Sequence, residues 1–562
     1  MTMTRFPFLR RLPVLTVLAA GLWLAFQQPQ TPRPEPEDPA QLWVDSVFQS
    51  LSFDERLAQL MWVRAHSNLG EKHEAAVERL IRKYQIGGLV FFQGTPEKQA
   101  ELTNRYQRLA RIPLLISMDA EWGLGMRLKE SAVSFPRQLM LGAIRDNRLL
   151  YEMGREVARH CRRLGVHINF APVADVNNNP RNPVIHTRSF GEDRYNVAAK
   201  AYMYMKGMQD HGVVACAKHF PGHGDTDIDS HLDLPLIPHD TTRLDSIELF
   251  PFRVLIDNGV GSIMVAHLSV PALDPTPNLP TTLSRPTVTD LLRRRLGYQG
   301  LIMTDALGMK GVTKYHQPGE VEALALQAGN DVLLLPESIE AAFQAIHRFF
   351  AEGKLDTAQV FHSVKKVLRL KYDLGLTTTP EIDTTHLRAE LNHPRALALK
   401  RRLIAASLTL VRNRDDLLPL RRLSDRIAAL DIGSAQPSPF QQRLAHYADF
   451  DFYQTGHRPD AQTRARLLEN LSRYEVVLVG LHNLSTRPGN DFGIRSESLE
   501  LLRELAQRTR VVVMVFGSPY ALRFFDFADW LLAAYDDDPM TQDLAAQGLV
   551  GAIAFDGRLP VT

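Results

Sequence analysis

Residues 218–231 place one lysine, three histidines and three aspartates within a short run. The run follows the apolar stretch 213–217, so we expect a buried strand to present Lys218 and His219 at its carboxyl end. Two glycines make the next residues bendable, and this bendable part carries a further Asp and His. A cation and an imidazole at a strand end, beside a flexible segment with its own carboxylate and imidazole, are typical of an active site that transfers protons.

Two other interpretations of this run are a metal site and an ordinary polar loop. His219, His223 and His231 lack the spacing of zinc ligands on a helix, and a calcium loop would require oxygen ligands at alternate positions. We therefore predict no metal and no cofactor. A solvated polar loop is disfavoured because similar strand ends recur along the chain.

Seven short apolar runs end in polar or charged residues. Their apolarity is continuous rather than alternating, which predicts strands buried on both faces. The segments between them, such as 147–164 and 197–211, are long and periodic enough to form helices. This alternation predicts a parallel sheet with crossover helices and favours a (β/α)8 barrel of the TIM type. The runs are 88–92, 114–118, 167–172, 213–217, 262–266, 301–304 and 331–335.

In such barrels the reactive residues lie at the C-terminal ends of the strands. Several charged or imidazole side chains follow the apolar runs directly or within a few residues. They are Asp119, Asp175, Lys218, His219, His267 and Asp305.

The 562-residue chain, with 45% hydrophobic and 23% charged residues, is long enough for a large core and a second domain. A polar linker near residue 380 precedes a new series of strands and helices, which predicts a smaller open α/β sandwich. Its predicted strands are 408–411, 427–432, 476–481, 511–516 and 530–534, with helices such as 395–406 and 496–507. No G-x-G-x-x-G motif follows these strands, so we expect no dinucleotide site. The predicted division is 1–40, 41–385 and 386–562.

The N-terminus predicts export. Arginines at positions 5, 10 and 11 precede the apolar stretch 12–26, which matches a secretory signal and is short for a membrane-spanning helix. No clean small-x-small cleavage site follows, so an uncleaved membrane anchor stays open. The proline-rich residues 27–40 indicate an extended tether. We expect the folded part to begin near Gln41 and to include a helix capped by Ser52 and Glu55.

A net charge of +2 gives no electrostatic basis for binding nucleic acid. Cys161 and Cys216 form neither a disulfide framework nor a metal motif, and we predict that both are buried as small apolar side chains. The sequence leaves the oligomeric state open, and also whether further domains follow residue 562.

The run 218–226, followed by Asp229-Ser230-His231, resembles the signature of glycoside hydrolase family 3, specifically its NagZ-like β-N-acetylglucosaminidase branch. Other segments match in family order. They are Asp119-Ala120-Glu121, Asn169–Val176, Arg188–Gly191 and Thr304–Leu307. The resemblance covers about residues 45–380 and implies a barrel, and the second domain resembles the α/β sandwich that many members append.

The resemblance also implies residue roles. Asp305 matches the catalytic nucleophile, and Asp229 with His231 matches the acid/base dyad of the branch. A histidine acid departs from the usual pair of carboxylates, yet an imidazole donates a proton near neutral pH without deep burial. The positions that match sugar contacts, or lie beside them, are Asp119, Arg127, Arg188, Lys218, His219, Asp175 and His223. His223 is open to either a sugar contact or a role in shaping the loop, and the usual motif around Arg127 is altered.

Together these features predict an exported, periplasmic or cell-envelope-associated retaining exo-β-N-acetylglucosaminidase that acts on cell-wall or chitin-derived oligosaccharides. Two alternatives within the family are a β-glucosidase or xylosidase, whose acid is a carboxylate from the second domain, and a phosphorylase, because a histidine acid does not repel phosphate. An alternative of another class is a non-catalytic glycan-binding protein. The sequence does not identify the natural glycan.

Overall fold

The computed structural model describes residues 38–378, 380–423 and 426–562. The predicted signal segment and most of the proline-rich tether lie outside the described residues. Within these ranges, no helix is both long enough and apolar enough to cross a lipid bilayer.

The first domain is built on eight parallel strands in the spatial order β7-β6-β5-β4-β3-β2-β1-β8. The ends of this sheet meet where Met303 bridges Val332 and the Thr304 N–H donates to the Val332 carbonyl at 3.1 Å. The predicted barrel is therefore confirmed. The strands are β1 (Met61–Ala65), β2 (Gly88–Phe91), β3 (Leu115–Met118), β4 (Ile168–Asn169), β5 (Val214–Phe220), β6 (Ser262–Val265), β7 (Leu301–Thr304) and β8 (Leu333–Leu334).

Helices surround this sheet, and the predicted helices 147–164 and 197–211 are confirmed with slightly different ends. The helices are α1 (Pro39–Ser50), α2 (Phe53–Ala58), α3 (Glu71–Tyr84), α4 (Pro96–Leu109), α5 (Gln138–Gly142), α6 (Arg148–Arg163), α7 (Arg194–Gln209), α8 (Thr241–Ser246), α9 (Leu249–Asp257), α10 (Lys310–Thr313), α11 (Glu320–Ala328), α12 (Ile339–Ala351) and α13 (Thr357–Asp373). A π-helical stretch, Pro286–Arg295, precedes β7. Cys161 of α6 and Cys216 of β5 are buried free thiols, as expected.

Strand β1 was not among the seven apolar runs. The expected capping box is present, since the Glu55 N–H donates to Ser52 Oγ and the Ser52 N–H donates to Glu55 Oε2. The helix that it caps ends at Ala58, and the chain then enters the sheet. The exposed Arg64 interrupts the apolar stretch of β1, which hid this strand in the sequence.

The second domain contains a six-stranded sheet in the order β11-β10-β12-β13-β14-β9, parallel except for the antiparallel edge strand β9. The predicted α/β sandwich is confirmed. Its strands are β9 (Thr409–Asn413), β10 (Ile427–Ile432), β11 (Asp451–Thr455), β12 (Val476–Leu481), β13 (Arg510–Val515) and β14 (Trp530–Ala533). Its helices, with the connecting α14, are α14 (Leu387–Leu391), α15 (Pro394–Ser407), α16 (Pro439–Leu444), α17 (Ala461–Leu471), α18 (Ser496–Ala506) and α19 (Pro539–Leu549).

The two domains share apolar packing. The core of the second domain includes Leu139, Met140 and Ala143, which lie in and just after helix α5 of the first domain. Helix α15 contributes to both cores, because Leu403 belongs to the barrel core and Ile404 to the second. The two domains are therefore joined by apolar contacts as well as by the linker.

Candidate active site

A cavity of about 450 Å³ opens among residues at the C-terminal ends of the barrel strands. Three of the residues singled out from the sequence do not line it: Asp175 and Asp229 bind histidines that do, and His267 contacts the Ala306 carbonyl. The singled-out residues that line it are Asp119, Arg127, Arg188, Lys218, His219, His223, His231 and Asp305. The fold thus brings side chains from distant parts of the chain into one space.

Strand β5 delivers Lys218 and His219 to the cavity. Consecutive residues of a regular strand point to opposite faces, yet both of these line the cavity. The pairing of β5 with β6 is irregular between Ala217 and Phe220, next to both residues. Irregular strand pairing of this kind re-aims side chains beside active sites.

Three cations and two carboxylates form a network on one wall. Lys218 Nζ donates to Asp119 Oδ1 at 2.7 Å and lies 2.9 Å from Glu121 Oε1. Arg127 donates to the other oxygen of Asp119. Arg188 donates through Nη2 and Nε to the two oxygens of Glu121 at 2.6 and 3.0 Å. Such charge-assisted pairs hold long side chains in fixed positions.

Burial acts to raise the pKa of both carboxyl groups in this network, but the neighbouring cations outweigh it. Lys218 and Arg127 hold the pKa of Asp119 well below its usual range. Arg188 and Lys218 lower the pKa of Glu121 to about 2. Burial alone would lower the pKa of Lys218, yet Asp119 and Glu121 raise it. All of these groups are therefore charged at neutral pH.

Asp175 lies behind the cavity and orients two histidines. It is fully buried, and its carboxylate accepts from His219 Nδ1 at 2.7 Å and from the His223 backbone N–H at 2.7 Å. His219 Nε2 then faces Arg188 Nη2 at 3.2 Å. Since a guanidinium only donates, this nitrogen accepts. Asp175 therefore lies behind the residues that line the cavity and acts on it through His219 and His223.

His223 ties the bendable segment together. Its Nδ1 lies 3.0 Å from Thr226 Oγ1 and its Nε2 lies 3.0 Å from Ser230 Oγ. Burial lowers the pKa of this imidazole to about 4, so the ring is neutral at pH 7. Because both ring nitrogens are engaged, the geometry favours the loop-shaping role over a sugar contact.

His231 and Asp229 lie on the exposed part of the same segment. The Asp229 carboxylate accepts from His231 Nδ1 at 2.8 Å and from the His231 backbone N–H at 2.9 Å. The side chain of His231 is 63% exposed and lines the cavity. Its Nε2 has no hydrogen-bond partner among the described residues. The imidazole is thus oriented by the carboxylate and open to a substrate.

Asp305 follows β7 at the inner end of the cavity. Its Oδ1 accepts from the Ala306 N–H at 2.7 Å. Burial acts to raise the pKa of Asp305, but its surroundings, first His267 and then the Ala306 N–H and Lys218, lower it. The carboxylate is therefore available as an anion at neutral pH. His267, also singled out from the sequence, braces this end, since its Nε2 lies 3.0 Å from the Ala306 carbonyl and its Nδ1 2.7 Å from Thr282 Oγ1.

Two further residues that line the cavity were not singled out from the sequence. Glu121 belongs to the motif that begins at Asp119, and its place two residues after Asp119 could have indicated a second carboxylate at that strand end. Arg64 lies on the unrecognised strand β1 and lines the cavity. Its guanidinium lies 4.8 Å from the centre of the Phe92 ring, and that of Arg127 lies 4.7 Å from it.

A second charged cluster, at the base of the segment, is the one set of described side chains that could approach a single metal ion. The ligand atoms of Asp225, His239 and Glu248 lie within 4.8 Å of one another. Arg243 Nη2, however, lies 3.4 Å from Asp225 and 3.1 Å from Glu248. The guanidinium already supplies the positive charge, so we interpret the cluster as an ionic anchor for the segment.

Comparisons with known proteins agree with this geometry. Residues 52–370 match the model of the glycosyl hydrolase family 3 N-terminal domain. The β-N-acetylglucosaminidase/β-glucosidase of Cellulomonas fimi is 27% identical over 550 residues, which cover 93% of this chain and 96% of that protein. β-Hexosaminidase A of Pseudoalteromonas piscicida is 33% identical over 376 residues, covering 61% of this chain and only 62% of that protein.

A solved structure of a family 3 enzyme is similar to this chain over both domains. The glycoside hydrolase family 3 β-N-acetylglucosaminidase from Paenibacillus sp. str. FPU-7 is 30% identical and aligns with a TM-score of 0.76, covering 91% of this chain and 99% of that chain. The family model alone accounts for more than half of the sequence, and its region contains the cavity and the residues that line it. The chain belongs to glycoside hydrolase family 3.

Proposed function

We propose that the protein is a retaining exo-β-N-acetylglucosaminidase that releases terminal N-acetylglucosamine from cell-wall or chitin-derived glycans. The observation that carries the proposal is that Asp305 and His231 line the same cavity, with Asp229 bound to the far nitrogen of the imidazole. A carboxylate anion and a positioned proton donor on one cavity are what a two-step glycosidase requires.

In the first step the Asp305 carboxylate attacks the anomeric carbon and forms a glycosyl ester. The bond to the leaving oxygen breaks, and His231 Nε2 gives that oxygen its proton. In the second step His231 takes a proton from water, the water oxygen bonds to the anomeric carbon, and Asp305 leaves. Two inversions at one carbon give net retention, and the histidine regains its proton.

The wall of paired charges is suited to the hydroxyls of one terminal sugar. Lys218, Arg127 and Arg188 are fixed by Asp119 and Glu121 before the sugar arrives, so little side-chain freedom is lost on binding. Preorganised donors in a partly closed site also act strongly on charge that develops at the sugar ring. Water is displaced from this wall when the ring binds.

The choice of N-acetylglucosamine is supported by the relatives. The Cellulomonas fimi and Paenibacillus proteins are both named as β-N-acetylglucosaminidases, and the former is also named as a β-glucosidase. The dyad Asp229 and His231 lies on the barrel, and no described residue beyond Leu335 lines the cavity. This arrangement supports the N-acetylglucosaminidase over the family alternative that takes its acid from the second domain.

The test is a panel of aryl β-glycosides, with the anomeric configuration of the first-formed product followed by NMR. We expect preference for the β-N-acetylglucosaminide, retention, and loss of turnover in Asp305→Asn. Asp257→Asn, on an exposed residue at the end of α9, is the matched control and should retain activity. Three other results would contradict the proposal. Preference for the glucoside would indicate the β-glucosidase or xylosidase, and sugar 1-phosphate formed only with phosphate would indicate the phosphorylase. Binding without turnover would indicate the non-catalytic glycan-binding protein.

The proposal includes export to the periplasm or cell envelope, based on the charged and apolar regions of residues 1–26. Fractionation of cells that express the full chain, followed by determination of the mature N-terminus, tests it. We expect activity in the exported or membrane fraction. Activity confined to the cytoplasmic fraction would contradict export and leave the enzymatic proposal intact.

A further inference from the structure

A three-residue 3-10 turn, His186–Arg188, carries one of the cavity arginines and lies against the second domain. The His186 side chain is buried, its ring stacks on Phe492 with centroids 5.5 Å apart, and it lies tilted by 40° against the Tyr520 ring with centroids 5.2 Å apart. His186 Nε2 lies 3.3 Å from Ser518 Oγ. These three partners belong to the second domain, so its side chains fix the residue two positions before Arg188.

The same tyrosine reaches a second cavity-forming segment. Tyr520 is 6% exposed, and its hydroxyl accepts from Asn177 Nδ2 at 2.8 Å. Asn177 lies two residues after Asp175, the carboxylate that orients His219. One side chain of the second domain therefore contacts both barrel segments that set the Arg188 and His219 pair.

The barrel also holds the turn. Arg137 Nη1 donates to Thr187 Oγ1 at 3.0 Å, and its guanidinium lies 4.9 Å from the centre of the Trp122 ring. The Arg188 N–H donates to the Ile185 carbonyl at 2.6 Å. Both domains therefore hold the turn, so a shift of either domain would move the Arg188 guanidinium.

We infer that the second domain is a positioning element for sugar binding, which acts on the cavity through His186 and Arg188 without touching the sugar. In the part of the chain that the structure describes, no second-domain residue lines the cavity. Phe492, Ser518 and Tyr520 instead hold the turn so that Arg188 meets both Glu121 and His219. The inference rests on the sugar-binding role proposed for Arg188.

Two substitutions test the contact with little loss of volume. Tyr520→Phe removes only the hydroxyl, and Phe492→Leu removes the aromatic stack. We expect each to lower kcat/KM by about two- to tenfold, mainly through KM, because one positioning contact is lost and the reacting groups are unchanged. The Kd for N-acetylglucosamine, measured by calorimetry, should rise by the same factor.

Matched controls separate positioning from a general loss of stability. Tyr453→Phe removes the hydroxyl of another second-domain tyrosine, which lies 3.2 Å from the Tyr474 hydroxyl, and Phe450→Leu alters another buried second-domain phenylalanine. These controls should leave KM and Kd unchanged even where they lower the unfolding temperature. Equal effects of test and control variants would overturn the inference.

A double-mutant cycle shows whether the effect passes through the arginine. In an Arg188→Ala background, Phe492→Leu, which removes the stack on His186, should have almost no further effect on KM or on Kd. An undiminished effect in that background would contradict the inference. The Kd measurements test the inference even if the wild-type protein hydrolyses no glycoside. A failure of the proposed function can therefore be distinguished from a failure of this inference.

Discussion

Glu121→Gln is the substitution whose effect the structure defines most closely. It keeps the shape of the side chain and removes the negative charge that Lys218 and Arg188 share. The pKa of Glu121 is about 2, against an ordinary 4.5, because the two cations outweigh the effect of burial. Each tenfold change in a protonation equilibrium corresponds to about 1.36 kcal/mol, so the network favours the ionised form by about 3 kcal/mol.

A buried ion pair that loses one partner costs about 3–5 kcal/mol, which agrees with this value. We therefore expect Glu121→Gln to lower the free energy of unfolding by about 3 kcal/mol at pH 7. The folded-state pKa is lowered, so this stabilisation is fully present above the unfolded pKa and is lost as pH falls toward the folded pKa. The difference in the free energy of unfolding between wild type and variant should stay constant down to about pH 5 and decrease between about pH 4.5 and 2.

Urea unfolding at a series of pH values measures this gap. Glu101→Gln is the control, because Glu101 pairs with Lys98 at an exposed position and its loss should change stability by no more than about 0.5 kcal/mol. Two results would contradict this expectation: a loss of less than about 1 kcal/mol at pH 7 in the Glu121 variant, or a difference from wild type that is the same at pH 3.5 as at pH 7.

Three further predictions concern the proton donor and a buried lysine. His231→Gln should lower kcat by about 10²–10⁴ on substrates with poor leaving groups and far less on a dinitrophenyl glycoside, whose departure needs no proton; a uniform loss would contradict the acid role. Asp229→Asn should show the same leaving-group pattern with a smaller loss, since the imidazole remains; equal rates in wild type and variant would exclude the dyad. Lys371, fully buried and donating to Gln59 Oε1 at 2.6 Å, has its pKa lowered by burial to about 7. Between pH 7 and its ordinary 10.5 the unfolded chain binds the extra proton, so wild type should gain stability over this range relative to Lys371→Met. A constant difference in urea unfolding would refute this.

The sequence predicted the barrel because most of its strands are continuous apolar runs. Such runs can be recognised from the local sequence, without knowing which strands pair with one another. It did not predict β1 or β11. Arg64 breaks the apolar pattern of β1, and β11 is an edge strand whose residues are largely half-buried or exposed. Both strands are held by pairing with neighbours, and a single chain segment does not reveal that pairing.

The cavity residues selected from the sequence were predictable because each lies at a strand end or within an ordered motif. Apart from the local pair Asp229 and His231, their hydrogen-bond partners were not predictable, since most of these bonds join distant positions. Arg188 and Glu121 are 67 residues apart, and His219 and Asp175 are 44 apart. Which carboxylate supports which cation depends on the arrangement of strands around the barrel, and local spacing carries no information on it.

The packing of Leu139, Met140 and Ala143 of the first domain into the core of the second limits how the two domains can be recombined. A barrel from this protein grafted onto the sandwich of a relative would set helix α5 against a surface that it does not fit, and a barrel produced alone would expose those side chains to water. Chimaeras should succeed only when helix α5 is transferred together with the sandwich. The two domains therefore behave as one structural unit, although each has its own sheet.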